Sequence, residues 1–140
     1  MIRPSDDKNA IKRILASDPY ISRAGFTEEN IKTTKYGTDT LNSSNPDFQI
    51  FIYLGTPENP NNSIQKGVVF NVSVTGKRDN ASRVDSVMAQ AIGLLNEANL
   101  GHSNIIYLLD PPMELESDPA IYMTECSFIA YETVFNKIQK

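Results

Sequence analysis

Few residues in this chain have the chemistry to act on a substrate. There is one histidine, His102, and one cysteine, Cys126. A nucleophilic triad needs a base beside its Ser or Cys. His102 directly follows Gly101, where the sequence predicts a helix to stop, so it reads as a loop histidine. Cys126 lies in a segment that is apolar on both sides and reads as a small buried hydrophobe. One Cys and one His cannot build a zinc centre, and a single cysteine forms no intrachain disulfide. Glu114, Glu116 and Asp118 alternate along an acidic turn and could face a hard cation. They do not follow the spacing of a calcium loop, and no partner for general acid–base work is apparent. Val74-Thr75-Gly76-Lys77-Arg78 invites comparison with a phosphate-binding loop. That motif requires glycine where Asn71 stands and Ser or Thr where Arg78 stands. Lys77 and Arg78 then form a basic step between a strand and a helix, suited to an acidic partner surface. The reading is of a protein with no catalytic centre, no cofactor and no metal.

Composition narrows the class further. The chain has 140 residues, the usual size of one domain with one core. Hydrophobic residues make up 40% and charged residues 21%, as in folded globular proteins. The formal net charge is -4, from 17 acidic and 13 basic residues. This argues against a protein whose main task is gripping phosphate backbones. The N-terminus has no apolar run of the secretory kind, and no stretch nears the roughly 18 apolar residues of a membrane helix. A cytosolic site of synthesis and assembly is the expectation. On that reading the N-x-S sequons, such as those at Asn42, Asn71 and Asn80, are chance.

The elements follow from periodicity. Ser5, with Asp6 and Asp7 behind it, reads as the start of a first helix. Ile11, Ile14 and Leu15 form its apolar stripe, and Asp18-Pro19 stops it. A short turn is expected at Thr27–Glu29, then a polar loop over 33–46. Alternation marks strands over 47–54 and 67–75, which pair as a hairpin. The intervening segment 55–66 is polar and Asn/Pro-rich, a long loop. The longest helix is expected from a cap at Asp79 or Asn80 to about Asn99. Val84, Val87, Met88, Ala91, Leu94, Leu95 and Ala98 keep its 3.6-residue period. Arg83, Asp85, Ser86, Gln90 and Asn96 make its polar face, toward solvent or an interface. A short strand over 104–109 is expected to break at Asp110-Pro111-Pro112. A final strand follows over 120–135, with Glu125 as a possible bulge. The fold expected is α+β. Its sheet has four strands and is mainly antiparallel, with the long helix on one face and an N-terminal helix, in the order α-β-β-α-β-β.

This arrangement resembles a family. An N-terminal helix with Ile11, Ile14 and Leu15 precedes FQIFIYL (48–54). Strand GVVFNVSVTG (67–76) leads into helix SRVDSVMAQAIGLLN (82–96), and the long strand IYMTECSFIAYETVF (121–135) closes the chain. The most distinctive local pattern is a strand ending in polar residues, followed by a helix with V-x-x-V-M-x-x-A-x-x-L-L spacing. In this order the chain is similar to the tail terminator and tail completion proteins of long-tailed bacteriophages, also called head–tail joining or neck proteins. The resemblance spans most of the chain and carries no catalytic residue. It implies a non-enzymatic virion protein, forming a ring of usually six copies that caps the tail tube. Its partners would be other copies of itself, the major tail tube protein and a head-completion or connector protein. DNA would only pass through the lumen, and no membrane is involved. Two loops, 55–66 and 110–119, are expected to touch neighbours. Their candidate contact residues are Pro57, Glu58, Asn59, Asn61, Glu114, Glu116 and Asp118, with Lys77 and Arg78 beside them. Of three rivals, another tail or baseplate component shares the element order. The second is a small-ligand-binding α+β domain with a pocket between the long helix and the sheet. The third, an enzyme, is disfavoured by the lack of histidines and clustered ionisable groups.

Overall fold

A computed structural model of the chain describes residues 3–35, 48–55, 65–101, 105–116 and 119–133. The first helix, α1, spans Pro4–Ala16 and starts one residue before the expected cap. Pro4 takes the first helical position, where its missing N–H costs nothing. Asp7, rather than Ser5, serves the helix start: its Oδ2 accepts from the Arg3 amide at 3.2 Å. Asp18-Pro19 does end this helix, and it also begins another. In α2, Pro19–Arg23, the Asp18 carboxylate accepts the Ile21 N–H at 3.0 Å. The turn expected after Thr27 is a 3₁₀ turn, Glu28–Asn30.

The strands are β1 (Ile31–Lys32), β2 (Phe48–Leu54), β3 (Gln65–Lys77), β4 (Ile106–Glu114) and β5 (Ile121–Thr133). They form one mixed sheet in the order β1-β2-β3-β5-β4. The four strands of the expected mainly antiparallel sheet are present, and β1 adds a fifth, whose two residues run parallel to Ile50 and Phe51. Two residues are too short for periodicity to reveal. The expected hairpin is present, with Phe48 opposite Gly76 and Leu54 opposite Phe70. β3 and β5 then pair along their whole length, from Gln65–Thr133 to Lys77–Ile121, without a break in register.

Helix α3 spans Ala81–Leu95, after a 3₁₀ turn at Arg78–Asn80. Val84, Val87, Met88, Ala91 and Leu95 are its buried stripe, as its period requires. They pack on Phe70, Val72, Cys126 and Phe128 of the sheet, together with Ile11 and Leu15 of α1. At roughly 1.5–3 kcal/mol for each larger side chain, this stripe holds the helix on the sheet. The helix ends earlier than Gly101 suggested. Asn96 is its C-cap, and Glu97 takes the left-handed backbone at φ 67°. That conformation is uncommon for a residue with a Cβ.

β4 holds the largest surprise. Asp110-Pro111-Pro112 does not break the strand; pairing with β5 resumes at Met113–Glu125. β4 lies at the sheet edge, the one place where a strand tolerates prolines. The extra residues are absorbed as register shifts between Leu108 and Asp110 and between Asp110 and Met113. The irregularity expected at Glu125 therefore belongs to the strand opposite it.

Candidate functional site

All three helices pack on one face of the sheet, the face of Ile50, Ile52, Phe70, Val72, Cys126 and Phe128. No described helix covers the other face. Alternation assigns it Gln49, Phe51 and Tyr53 from β2, Val69, Asn71, Ser73 and Thr75 from β3, and Met123, Glu125, Ser127 and Ile129 from β5. Its centre is polar and internally bonded. The hydroxyls of Tyr53 and Ser73 both donate to Glu125 Oε1, that of Ser73 at 2.6 Å. Ser127 Oγ donates to Asn71 Oδ1 at 2.7 Å, and Thr75 Oγ1 to the Gln49 carbonyl at 3.2 Å. Burial, then the bond to Glu125 and its negative charge, push the Tyr53 hydroxyl up to about 12, against a partial offset from Ser73 and Asn71.

The irregular half of β4 rises beside this network. Leu109, Asp110, Pro111, Pro112 and Met113 form one wall of an open cleft of about 700 Å³, with Val69, Asn71, Glu125 and Ser127 as its floor. Asp110 pairs with Ser127 and Met113 with Glu125, so both acids flank the same stretch of β5. The cleft thus offers two carboxylates and a bonded amide among apolar side chains, with no cation among its described lining residues. The Tyr53 hydroxyl holds its proton too tightly to act as a base near neutrality, and Cys126 lies on the opposite face. Burial, followed by the nearby Glu125 charge, raises the Cys126 thiol to about 12; its Sγ lies 3.5 Å from Met88 Sδ. Among the described residues no group of His, Cys, Asp and Glu could hold a metal ion.

The residues singled out from sequence fall into three groups. Pro57, Glu58, Asn59, Asn61 and Asp118 lie outside the described residues, as does His102. Arg78 and Glu114 are brought together: Arg78 Nη1 lies 3.3 Å from Glu114 Oε2, with both side chains about half exposed. Arg78 also donates to the carbonyls of Pro119 and Ile121 at 2.9 Å, and its guanidinium lies 5.7 Å from the Tyr122 ring. Much of its bonding is spent joining the end of β3 to its own β4–β5 connection. Lys77 and Glu116 are exposed.

The polar face of α3 is likewise turned inward to other elements. The Arg83 guanidinium sits 5.1 Å from the Phe48 ring, and Asp85 accepts from the Tyr122 hydroxyl at 2.8 Å. Gln90 donates to Asp18, and Asn96 Oδ1 accepts the Leu108 N–H at 2.8 Å. That last bond belongs to a seal along the outer edge of β4. Glu97 donates to the Ile106 carbonyl at 2.7 Å, and Ile106 donates to the Ala98 carbonyl at 3.0 Å. Beyond this seal stand Pro111 and Pro112, which have no N–H to offer. Over 106–112 the edge therefore offers little to an added strand, and the cleft lies beside it. Sequence reading found its parts, since it noted the polar alternation of Asn71, Ser73 and Thr75 and the odd phase of Glu125. It missed the cleft because Pro111-Pro112 was taken to end the strand.

The sequence matches no family model, and no curated protein matches it. Among solved structures, the fold is similar to a chain from a structure described as the virion of a native gene transfer agent particle. The TM-score is 0.62 at 13% identity, covering 90% of this chain and 93% of that one. A second solved structure is 18% identical over 62% of this chain and 68% of its own, with a TM-score of 0.40, too low to support an argument. What the first likeness shows is a shared α+β fold, end to end.

Proposed function

We propose that this protein is a non-enzymatic structural component of a phage or prophage virion, and that it forms a ring at the head–tail junction which terminates the tail tube. The observation that carries this reading is the likeness of fold to a virion chain over nine-tenths of the sequence. The element order that suggested a tail terminator is also the order in the structure, apart from the short α2 and β1. The cleft beside β4 supports the reading too: it offers an open, apolar-rimmed surface with Met113 exposed, as contact between building blocks requires. In this role the chain would bind other copies of itself, the tail tube protein below and a head-completion protein above. The DNA would pass through the lumen without sequence-specific grip, consistent with the acidic balance.

Of the rivals, the ligand-binding domain loses its expected pocket. The space between α3 and the sheet is filled by Val84, Val87, Met88, Phe70 and Phe128, all essentially sealed from solvent. The deciding experiment is solution mass by light scattering across a concentration series, with negative-stain images, with and without purified tail tubes. Rings of about six copies, free or seated on tube ends, are expected. A protein that stays monomeric at every concentration and ignores tubes would overturn the proposal.

A further inference from the structure

We propose that the cleft beside β4 is one half of the contact between neighbouring copies, and that it receives Arg13 from α1 of the next copy. This inference rests on the ring reading and specifies its interface. The cleft carries the carboxylates of Asp110 and Glu125. Val69, Leu109, Pro111, Pro112 and Met113 surround them, and Met113 is 65% exposed. A long cationic side chain fits such a site: its aliphatic stem lies along apolar walls while its head meets the acids. The complement stands on the same chain. Lys12 and Arg13 border a hollow of about 370 Å³ with Asn9, Ala16, Ser17 and one acid, Glu28. Arg13 is exposed, and neither cation has an ion-pair partner among the described residues.

The fold dictates what such a contact builds. α1 packs on the helix-covered face of the sheet, and the cleft opens on the other. A contact between them joins opposite faces of two copies. It is therefore heterologous, which yields a closed ring when the rotation closes and a filament when it does not. The β4 edge favours side-chain contact here, because the Ile106 and Leu108 N–H groups are already bonded and Pro111 and Pro112 have none.

The test is charge reversal read by analytical ultracentrifugation, in low and high salt, with and without tail tubes. Asp110 is exposed on an edge strand, and Arg13 is exposed on a helix, so Asp110→Arg and Arg13→Asp leave the core intact. Circular dichroism checks that they do. Each single variant should weaken self-association at least about tenfold, and the double variant should regain most of it. Cross-linking gives a second readout: since Cys126 is buried, mixing Asp110→Cys with Arg13→Cys chains and adding a bis-maleimide long enough to replace an arginine side chain should give dimers that neither chain forms alone. Wild-type rings, with single variants assembling normally and no cross-link, would overturn this interface and leave the ring standing. Wild-type protein that never assembles would overturn both.

Discussion

Replacing Tyr53 by Phe removes one hydroxyl and tests the polar network on the sheet face opposite the helices. That hydroxyl donates to Glu125 Oε1, which also accepts from Ser73. A hydrogen bond to a charged acceptor contributes about 1.5–3 kcal/mol when shielded. Tyr53 is only partly buried, so a loss of about 1–2 kcal/mol is expected at about pH 8. The pH dependence makes the test specific. In the folded chain the hydroxyl titrates near 12, against an ordinary 10.0. Between these values the unfolded chain releases this proton while the folded chain keeps it. Stability is then fully present below pH 10.0 and falls as pH rises toward 12. A two-unit window corresponds to about 2.7 kcal/mol. Solvent screening at a half-exposed ring reduces this, and about 1 kcal/mol is expected. The Phe variant has no such proton. Urea unfolding at about pH 8 and about pH 11 should therefore show the gap between wild type and variant narrowing by about 1 kcal/mol. Absorbance titration should show the variant lacking one late-ionising tyrosine. A gap that stays constant across this range would refute the claim that burial, together with Glu125, holds the Tyr53 proton.

Other perturbations address separate parts of the structure. Glu97→Gly should stabilise by about 0.5–1 kcal/mol, since φ 67° suits glycine and the backbone bond to Ile106 survives; a lower melting point would contradict this. Gly55→Ala should destabilise by about 1–3 kcal/mol, because a Cβ there would stand 2.8 Å from Val69 Cγ1 and near the Asn71 amide; thermal melts decide it. Cys126 should resist thiol reagents at neutral pH until the protein unfolds, so labelling that outpaces unfolding would show that its burial is not maintained. Leu95→Ala should cost about 2–5 kcal/mol by opening a cavity under α3, measured by urea unfolding.

Periodicity was a sound guide wherever packing on a core decides the structure. The α3 stripe, the β2–β3 hairpin and the α+β class all follow from residues that alternate between core and surface. It failed where ends are set by contacts distant in sequence. Glu97 stops α3 because its amide and the Ala98 carbonyl are claimed by Ile106, a partner that no local pattern announces. Pro111-Pro112 is compatible with a strand only at an edge, and edge position is a property of the whole sheet. The candidate site suffered for the same reason. Glu125 looked like a defect in an apolar strand, yet across the sheet it meets Tyr53 and Ser73, which make it the centre of a network.

The use of polar residues within the chain bears on how a partner could be recognised. Exposed charge on a helix is usually read as free for solvent or a neighbour. Here Arg83, Asp85, Gln90 and Asn96 each serve another element of their own chain, and Arg78 and Glu114 serve each other. Surface pairs of this kind contribute little each, roughly 0–1 kcal/mol. Their combined effect is to fix β4, the β4–β5 connection and α2 against α3 and β3. For the proposed role as a subunit this matters, because binding energy is lost when a surface must first be ordered. A substitution such as Arg78→Ala should thus act first on local order. Hydrogen exchange should rise over 114–121 with little change in global stability. If exchange there stayed unchanged while assembly failed, Arg78 would belong to the contact surface after all.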